Sequence, residues 1–444
     1  MRALLILTAL LFFSHISAEV LTLAEAEKTA LTHNLEIKKE ELSKKAVKWE
    51  KWDAVAAYLP KLSYSNVYTA LDDETYERMN YLGNIGSTGD PSLDFLIKAM
   101  AEGQQLSPQK SWQSSISINQ PVTNGLKELI VLFQMAPAKL KLTDATQQLT
   151  KETVIINTRR TYYNIIKIGE TVKMLEAVRD ASERSLRKAE IRYRNGETAK
   201  DAFLTAEAQH ESDKAEVISM KNNYSAVMYM LEDITGKEFS ETVTCEPLEN
   251  FEAVFKKALP EAEIKVEPAE IKMAEGAAEM AEASKNITAS NVLPNINLSV
   301  SRNWLADKTF APGDSEESNA LSVAMNWSIG PGNLTSSEMA VYEARKSRID
   351  LKISKRDLDT KIKTAHESLK NLKEKVIAAG KSARAQEESF GITAKRHEDG
   401  LVNTIDYINL SVLYKQKKIA YLEALFNYLN QLDEYKRLTG KLEV

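Results

Sequence analysis

The sequence repeats itself, and that duplication constrains the fold more than any other feature. Ala56-Ala57-Tyr58-Leu59-Pro60-Lys61-Leu62 resembles Ser290-Asn291-Val292-Leu293-Pro294-Asn295-Ile296, and Glu36-Ile37-Lys38 stands at the same 234-residue offset from Glu270-Ile271-Lys272. Later, Arg192-x-x-x-Gly196 resembles Arg396-x-x-x-Gly400, and each Gly is followed 39 residues on by Thr-Gly-Lys, at Thr235 and Thr439. Four landmarks in one order indicate a chain built from two similar halves.

Each half reads as helix, two strands and a long helical hairpin. Residues 22–57 are rich in Ala, Glu, Lys and Leu, with Asn34 as the one interruption, which predicts a helix. Pro60 ends it, because the residue before a proline is pushed out of the α region. Strands are expected at about 62–70 and 112–120, separated by a long polar loop with Gly83, Gly86, Gly89 and Pro91. Within that loop, Pro91 to Glu102 has the pattern of a short amphipathic helix. A helical stretch from Leu126 to Arg194, broken once at Pro137, leads to a tip at 195–196 and a return helix to Gly236. Residues 237–262 read as a linker or accessory segment. The second repeat spans 263–444, with strands at about 295–304 and 319–329, a tip at 399–400 and a return helix to Leu438.

The strands alternate with period two. Trp112, Ser114, Ile116 and Ile118 share one face, and Gln113, Ser115, Ser117 and Asn119 the other. Ile296, Leu298, Val300 and Trp304 alternate with Asn297, Ser299, Ser301 and Asn303, with Arg302 as the exception on the apolar face. Leu321, Val323, Met325, Trp327 and Ile329 alternate with Ser322, Ala324, Asn326 and Ser328. Runs of about 9–11 residues match a tilted strand crossing a bilayer. Trp112, Trp304 and Trp327, near strand ends, suit an aromatic girdle against outer-membrane lipid. A half-buried soluble sheet gives the same alternation, so the strands alone do not choose. Two hairpins cannot close a barrel, so the membrane reading demands an oligomer.

The helices carry a second signal. Leu358, Ile362, Ala365, Leu369, Leu372, Val376, Ala379, Ala383 and Phe390 follow coiled-coil spacing, continued by Ile405, Ile408, Val412, Ile419, Leu422, Phe426 and Leu429. A helix from 335 to 396 would be roughly 90 Å long, a rod that needs a partner along its length.

The remaining composition excludes much. Net charge is −5, which gives no basic face for nucleic acid. There is no HExxH, CxxC, Gly-rich phosphate loop or GxSxG elbow, so no metal, cofactor or catalytic set is expected and the chain does not read as an enzyme. Cys245 is the single cysteine and reads as a plain buried or linker residue; a catalytic thiol is the minority reading. Arg2, the apolar run Ala3 to Phe13, and Ser14 to Ala18 read as a secretory signal over residues 1–18, cleaved before Glu19. The run is too short for a transmembrane helix, which needs about 20 apolar residues.

Val20-Leu21-Thr22-Leu23-Ala24-Glu25-Ala26, Ala57-Tyr58-Leu59-Pro60 and Gln120-Pro121-Val122-Thr123-Asn124-Gly125 resemble the TolC-like outer-membrane efflux proteins, and the resemblance covers essentially the whole mature chain. It implies a mainly α fold with a small β part: two structural repeats, each with two strands and long coiled-coil helices. A homotrimer would form one twelve-stranded barrel in the outer membrane, continuing into a periplasmic α-helical barrel. The implied function is a passive exit duct for efflux or type I secretion. Its partners would be a periplasmic adaptor and an inner-membrane transporter.

The resemblance also implies sites. Its helix tips carry Arg-x-x-x-Gly with a leucine-like residue eight positions after the Gly; here these are Arg192, Gly196 and Leu204, then Arg396, Gly400 and Ile408. They are the expected adaptor-docking surface. A glycine there also serves simply as the positive-φ residue that reverses the hairpin. Asp406, six after Gly400, is the expected pore constriction, three copies forming an anionic ring; the plain alternative is a solvated helix Asp. Asn409, Val402 and His397 depart from the family's gate residues, so those contacts are not carried over. A non-channel periplasmic coiled-coil scaffold is the competing reading. It explains heptads and strands separately, but not paired hairpins in both halves.

Overall fold

In a computed structural model, residues 20–79, 85–103, 109–239, 244–257, 267–306, 316–328 and 330–442 are described. The expected signal segment 1–18 lies outside them. The chain divides into two units: Met1–Lys45, Lys141–Gly276 and Arg348–Val444 form one, and Ala46–Leu140 and Ala277–Ser347 the other.

The first unit is helical. Thr22 opens α1 (Leu23–His33) with a reciprocal capping box to Glu25. Asn34 interrupts the helix as expected, and its side chain shows why. Its Oδ1 accepts from Glu36 N at 2.9 Å, and its Nδ2 donates to Ile234 O at 2.8 Å. It thus starts α2 (Leu35–Tyr58) and ties it to the end of α7 (Lys200–Thr235). The other long helices are α6 (Ala136–Arg194), α10 (Pro331–Glu398) and α11 (Thr404–Leu438). Leu231, Leu369, Leu422, Leu425 and Tyr435 are all 0% exposed in one core, where each such side chain contributes roughly 1.5–3 kcal/mol by burial. The α10 seam is the expected one: Leu358, Ile362, Ala365, Leu369, Val376, Ala383 and Phe390 are buried. The α11 seam shifts near the tip. Ile405 and Val412 are exposed, and Tyr407, Ser411 and Tyr414 are buried in their place. Aromatic and hydroxyl residues form that face, so a count of aliphatic positions follows the wrong stripe.

A second buried feature of this unit is ionic. Arg159 bonds Glu27 Oε1 at 2.6 Å and Asp433 Oδ1 at 2.7 Å, and Tyr163 donates to Asp433 Oδ2 at 2.8 Å. Asp433 is almost fully buried; with its charge paired and hydrogen-bonded, it avoids the cost of an isolated buried ion.

Residues 237–262 hold more than a linker. β4 (Thr244–Cys245) pairs in parallel with β1 (Val20–Leu21), and α8 (Leu248–Phe255) follows. Tyr162 pins this junction, donating to Leu21 O at 2.5 Å and accepting from Glu246 N at 3.0 Å. Burial pushes the Cys245 thiol up to about 11, the state of an inert thiol. Two-residue strands carry no periodicity, so nothing in the pattern announced them.

The second unit carries a four-stranded antiparallel sheet, order β2 (Lys61–Ala70), β3 (Lys110–Pro121), β5 (Asn295–Ala306), β6 (Glu316–Asn326). β6 begins and ends three residues earlier than the alternation indicated. Trp327 falls just past it, and Ile329 lies outside the described residues. The 70–111 stretch is not plain loop: it contains α3 (Asp73–Met79) and α4 (Pro91–Gly103). α9 (Ala269–Ser290) leads toward β5. After β3 the helix starts at once as α5 (Thr123–Ile130), widens into a π turn at Val131–Met135 and runs on as α6. Pro137 therefore does not break a helix. The π turn directly before it, where Ala136 N donates to Val131 O, lets the continuous helix take in a residue without an N–H.

Candidate functional site

The sheet has two chemically different faces. Register aligns Leu62 with Ile118, Ile118 with Val300 and Val300 with Leu321, so these share a face with Tyr64, Ile116, Leu298, Val323 and Met325. All of them are exposed in the single chain, Leu321 at 72% and Val323 at 69%. Apolar rows this continuous call for an apolar partner. The opposite face is hydroxyl and amide. Ser63 meets Ser117 at 2.7 Å, Ser65 meets Ser115 at 2.7 Å and Ser299 meets Ser322 at 2.6 Å.

Polar residues on the apolar face pair locally. Ser114 Oγ donates to Asn66 Oδ1 at 3.3 Å. Arg302 pairs with Glu317 across β5 and β6 and lies 5.5 Å from the Trp304 ring centroid, while Trp304 Nε1 donates to Glu317 Oε1 at 3.3 Å. The Trp112 ring lies tilted against Tyr68, centroids 4.8 Å apart. The tryptophans divide between the sheet ends: Trp112 and Trp304 at the loop end, and Trp327 at the helix end, where its Nε1 donates to Val292 O at 3.0 Å. Among the described residues β2 and β6 each have one partner, so both sheet edges present unpaired backbone groups.

The hairpin tips, in the helical unit, are built alike. Gly196 and Gly400 have φ +76° and +78°. Glu197 N donates to Arg192 O and Leu401 N to Arg396 O, both at 2.8 Å, which closes each helix end in the same way. An aromatic stack backs each turn. Tyr193 lies 5.6 Å from Phe203, and His397 lies 4.7 Å from Tyr407. These pairs occupy equal positions relative to the two glycines. The sequence held this signal, and a count of Arg, Gly and Leu passed over it.

The two motif arginines are not equivalent. Arg396 is exposed. Arg192 turns inward, and a Cβ added to Gly400 would stand 2.3 Å from its Nη2. Along the same α6 face, Arg184 bonds Glu398 Oε1 at 3.1 Å, Ser185 Oγ lies 2.8 Å from His397 Nε2, and Lys188 donates to the Glu398 carbonyl. His397 Nδ1 lies 3.0 Å from Val402 O. Cations of α6 thus sit on the negative end of the α10 dipole. The hydrophobic positions differ as well: Leu204 is 47% exposed, while Ile408 packs against the cluster of Met174, Leu175, Val178 and Tyr407.

Asp406 is exposed and occupies the third position of α11. Asp406 N donates to Asn403 Oδ1 and Asn403 Nδ2 donates to Asp406 Oδ2, both at 2.8 Å. Asn403 thus caps α11, and the Asp406 carboxylate holds the Asn403 amide in place. Among the described residues no group of His, Cys, Asp and Glu is placed to hold a metal ion. No described helix is long and apolar enough to cross a membrane.

Comparison with known proteins agrees with this architecture. No family model matches the sequence. The chain is 25% identical over 138 residues to the outer membrane protein TolC of Escherichia coli, a match spanning 31% of this chain and 27% of that protein. The CmeC outer membrane channel of Campylobacter jejuni superposes with a TM-score of 0.72 at 13% identity, covering 95% of this chain and 86% of that one. The channel protein CusC gives 0.72 at 12% identity, over 94% and 91%. The outer membrane protein VceC of Vibrio cholerae gives 0.67 at 14%, over 94% and 96%. The overall fold of the chain is the one these proteins share.

Proposed function

We propose that this chain, TolC-like in fold, is the protomer of a trimeric outer-membrane channel-tunnel. Residues 1–18 direct it to the secretory route and are removed. Residues 19–236 and 263–444 form two repeats, each supplying two strands and a helical hairpin. Three copies close a twelve-stranded barrel, and their helices continue as a tunnel in the periplasm. The channel is a passive duct of an efflux or type I secretion system. A periplasmic adaptor docks on the helix tips, and the inner-membrane transporter supplies the energy.

The observation that carries this reading is the two-faced sheet with two open edges. An exposed apolar face fits lipid, a serine-lined face fits a wet lumen, and unpaired β2 and β6 edges fit pairing between copies. Trp112 and Trp304 at one end and Trp327 at the other fit the two membrane interfaces. Arg396, Gly196 and Leu204 remain outward at the tips. Arg192 and Ile408 contribute from beneath, by holding the tip shape. Asp406 narrows the periplasmic entrance as a ring of three.

Purified protein in planar bilayers tests this. Trimers with stepwise conductance are expected. A stable monomer without conductance, released from membranes by high salt, would instead mark a periplasmic scaffold.

A further inference from the structure

The two repeats bury different faces of corresponding helices. At the 234-residue offset α2 corresponds to α9, and Ile37 and Ile271 are buried alike. One stripe does not match. Leu35, Leu42 and Trp49 stand one heptad apart and are exposed on α2. Their counterparts on α9 are Ala269, Gly276 and Ala283, all buried. Leu35 is 76% exposed and Trp49 73%, against 0% for Ala269 and 2% for Ala283. The α9 stripe lies on α6. A Cβ on Gly276 would stand 3.0 Å from Leu142 N, and Lys141 bonds the neighbouring Glu275 at 3.1 Å.

The same mismatch separates α6 from α10. Gly196 and Gly400 are 204 residues apart, and unbroken helix runs back from each tip, so one offset relates the two helices. Val154, Thr158 and Ile165 are buried, and so are Leu358, Ile362 and Leu369. The buried Ala138 and Ala145, on either side of Leu142, correspond to the exposed Tyr342 and Ile349. Among the described residues, that row on α10 and the stripe on α2 stay uncovered.

The strands supply position and direction. β3 leads into α5 and α6, and it pairs antiparallel with β5, which follows α9. β6 leads into α10 and β2 follows α2. These two strands are the sheet edges and run in opposite directions. A β6–β2 pair between copies sets α10 beside the next copy's α2, as β3–β5 sets α6 beside α9.

We propose that α10 of one copy packs on α2 of the next, repeating between copies the α6–α9 junction within the chain. The inference rests on the trimer proposed above and names the helix faces that join it. The contact is head-to-tail, the kind that closes as a ring. Gly276 against Leu142 translates to Leu42 against Lys346, and the Lys141–Glu275 pair to Arg345 with Glu41. Both Arg345 and Glu41 are exposed, with opposite charges. The Lys272–Gln148 bond at 3.4 Å does not translate, since it becomes Lys38 beside Lys352. Side-chain size sets the two seams apart. Ala and Gly let α9 approach α6 closely, whereas Leu, Trp and Tyr hold α2 and α10 further apart. The duplicated chain thus builds a close seam within each copy and a wider, apolar-filled seam between copies.

The test uses the full-length protein with Leu42→Cys and Lys346→Cys, both exposed in the single chain. Isolated outer membranes are treated with a short bis-maleimide, which tolerates the wider seam. Covalent dimers and trimers are expected from the double variant alone; the single variants control for Cys245. Trimers by size in detergent without covalent product overturn this seam and leave the channel reading standing. Monomers throughout overturn both. A covalent product with a different protein, identified by mass, gives the stripe another occupant and overturns the proposal. Trp49→Glu gives a second reading. Its helix content by circular dichroism should match the parent while its trimer fraction in detergent falls. A parental trimer fraction and dissociation temperature overturn the proposal.

Discussion

The Arg192 guanidinium lies on the backbone of Gly400, so one repeat's tip arginine covers the other repeat's tip glycine. The two glycines share a conformation but not an environment. A Cβ on Gly196 would meet nothing within 4 Å, whereas one on Gly400 would displace Arg192. Gly196→Ala should therefore cost only the left-handed backbone penalty, about 1–2 kcal/mol. Gly400→Ala should cost that and the packing of Arg192 over the turn as well. A double-mutant cycle with Arg192→Ala, read by thermal unfolding, checks the coupling. Additivity within about 0.3–0.5 kcal/mol would mean the contact carries no energy.

The sheet faces give a paired prediction. Val323 and Ser322 are sequence neighbours on opposite faces of β6. Val323→Arg should block stable insertion, since an arginine facing lipid costs about 2–4 kcal/mol near the midplane. Ser322→Arg should assemble and shift ion selectivity toward anions. The trimer fraction of outer-membrane extracts, then bilayer recordings, measure both. Equal assembly of the two variants would contradict the assignment of faces.

Particular residues show how much of this was legible. Glycine tips and alternating strands are local patterns, so Gly196, Gly400 and the Leu321–Met325 alternation stood out directly. The α10 seam was legible because aliphatic residues form it. The α11 face of Tyr407, Ser411 and Tyr414 was not, because hydroxyl-bearing residues mask a seam. The difference between Arg192 and Arg396 was hidden for another reason. It arises where two hairpins touch, and identical motifs cannot encode which copy faces inward. The β1–β4 pair joins segments more than 200 residues apart through two residues each, too short for any period to register.

Glu152 should make stability depend on pH. It is 5% exposed on α6 and accepts from Gln148 at 2.9 Å. Burial raises its pKa above the ordinary 4.5. The folded chain thus holds this proton more tightly than the unfolded chain. The stability it contributes is complete below that ordinary value and is lost as pH rises through the folded one. Glu152→Gln keeps the acceptor and removes the charge. Its Tm should exceed that of the parent at pH 8, with the gain shrinking toward acid. An equal difference at both ends would assign the effect to packing.

Asp406→Asn separates the two roles open to this residue. The carboxylate accepts from Nδ2 of Asn403, the residue that caps α11, and an asparagine side chain retains an oxygen able to accept that bond. The variant should therefore fold and form trimers with nearly parental Tm. If three Asp406 carboxylates ring the entrance, their field concentrates cations there. Neutralising them should lower cation selectivity and weaken block by multivalent cations in bilayer recordings. Unchanged selectivity and block would leave Asp406 as a support for the Asn403 cap alone. A large loss of Tm would contradict that expectation and show that the start of α11 needs the carboxylate charge. Asp406→Glu in parallel restores the charge on a longer side chain. Selectivity retained in that variant would assign the effect to the charge and not to the shape of the side chain.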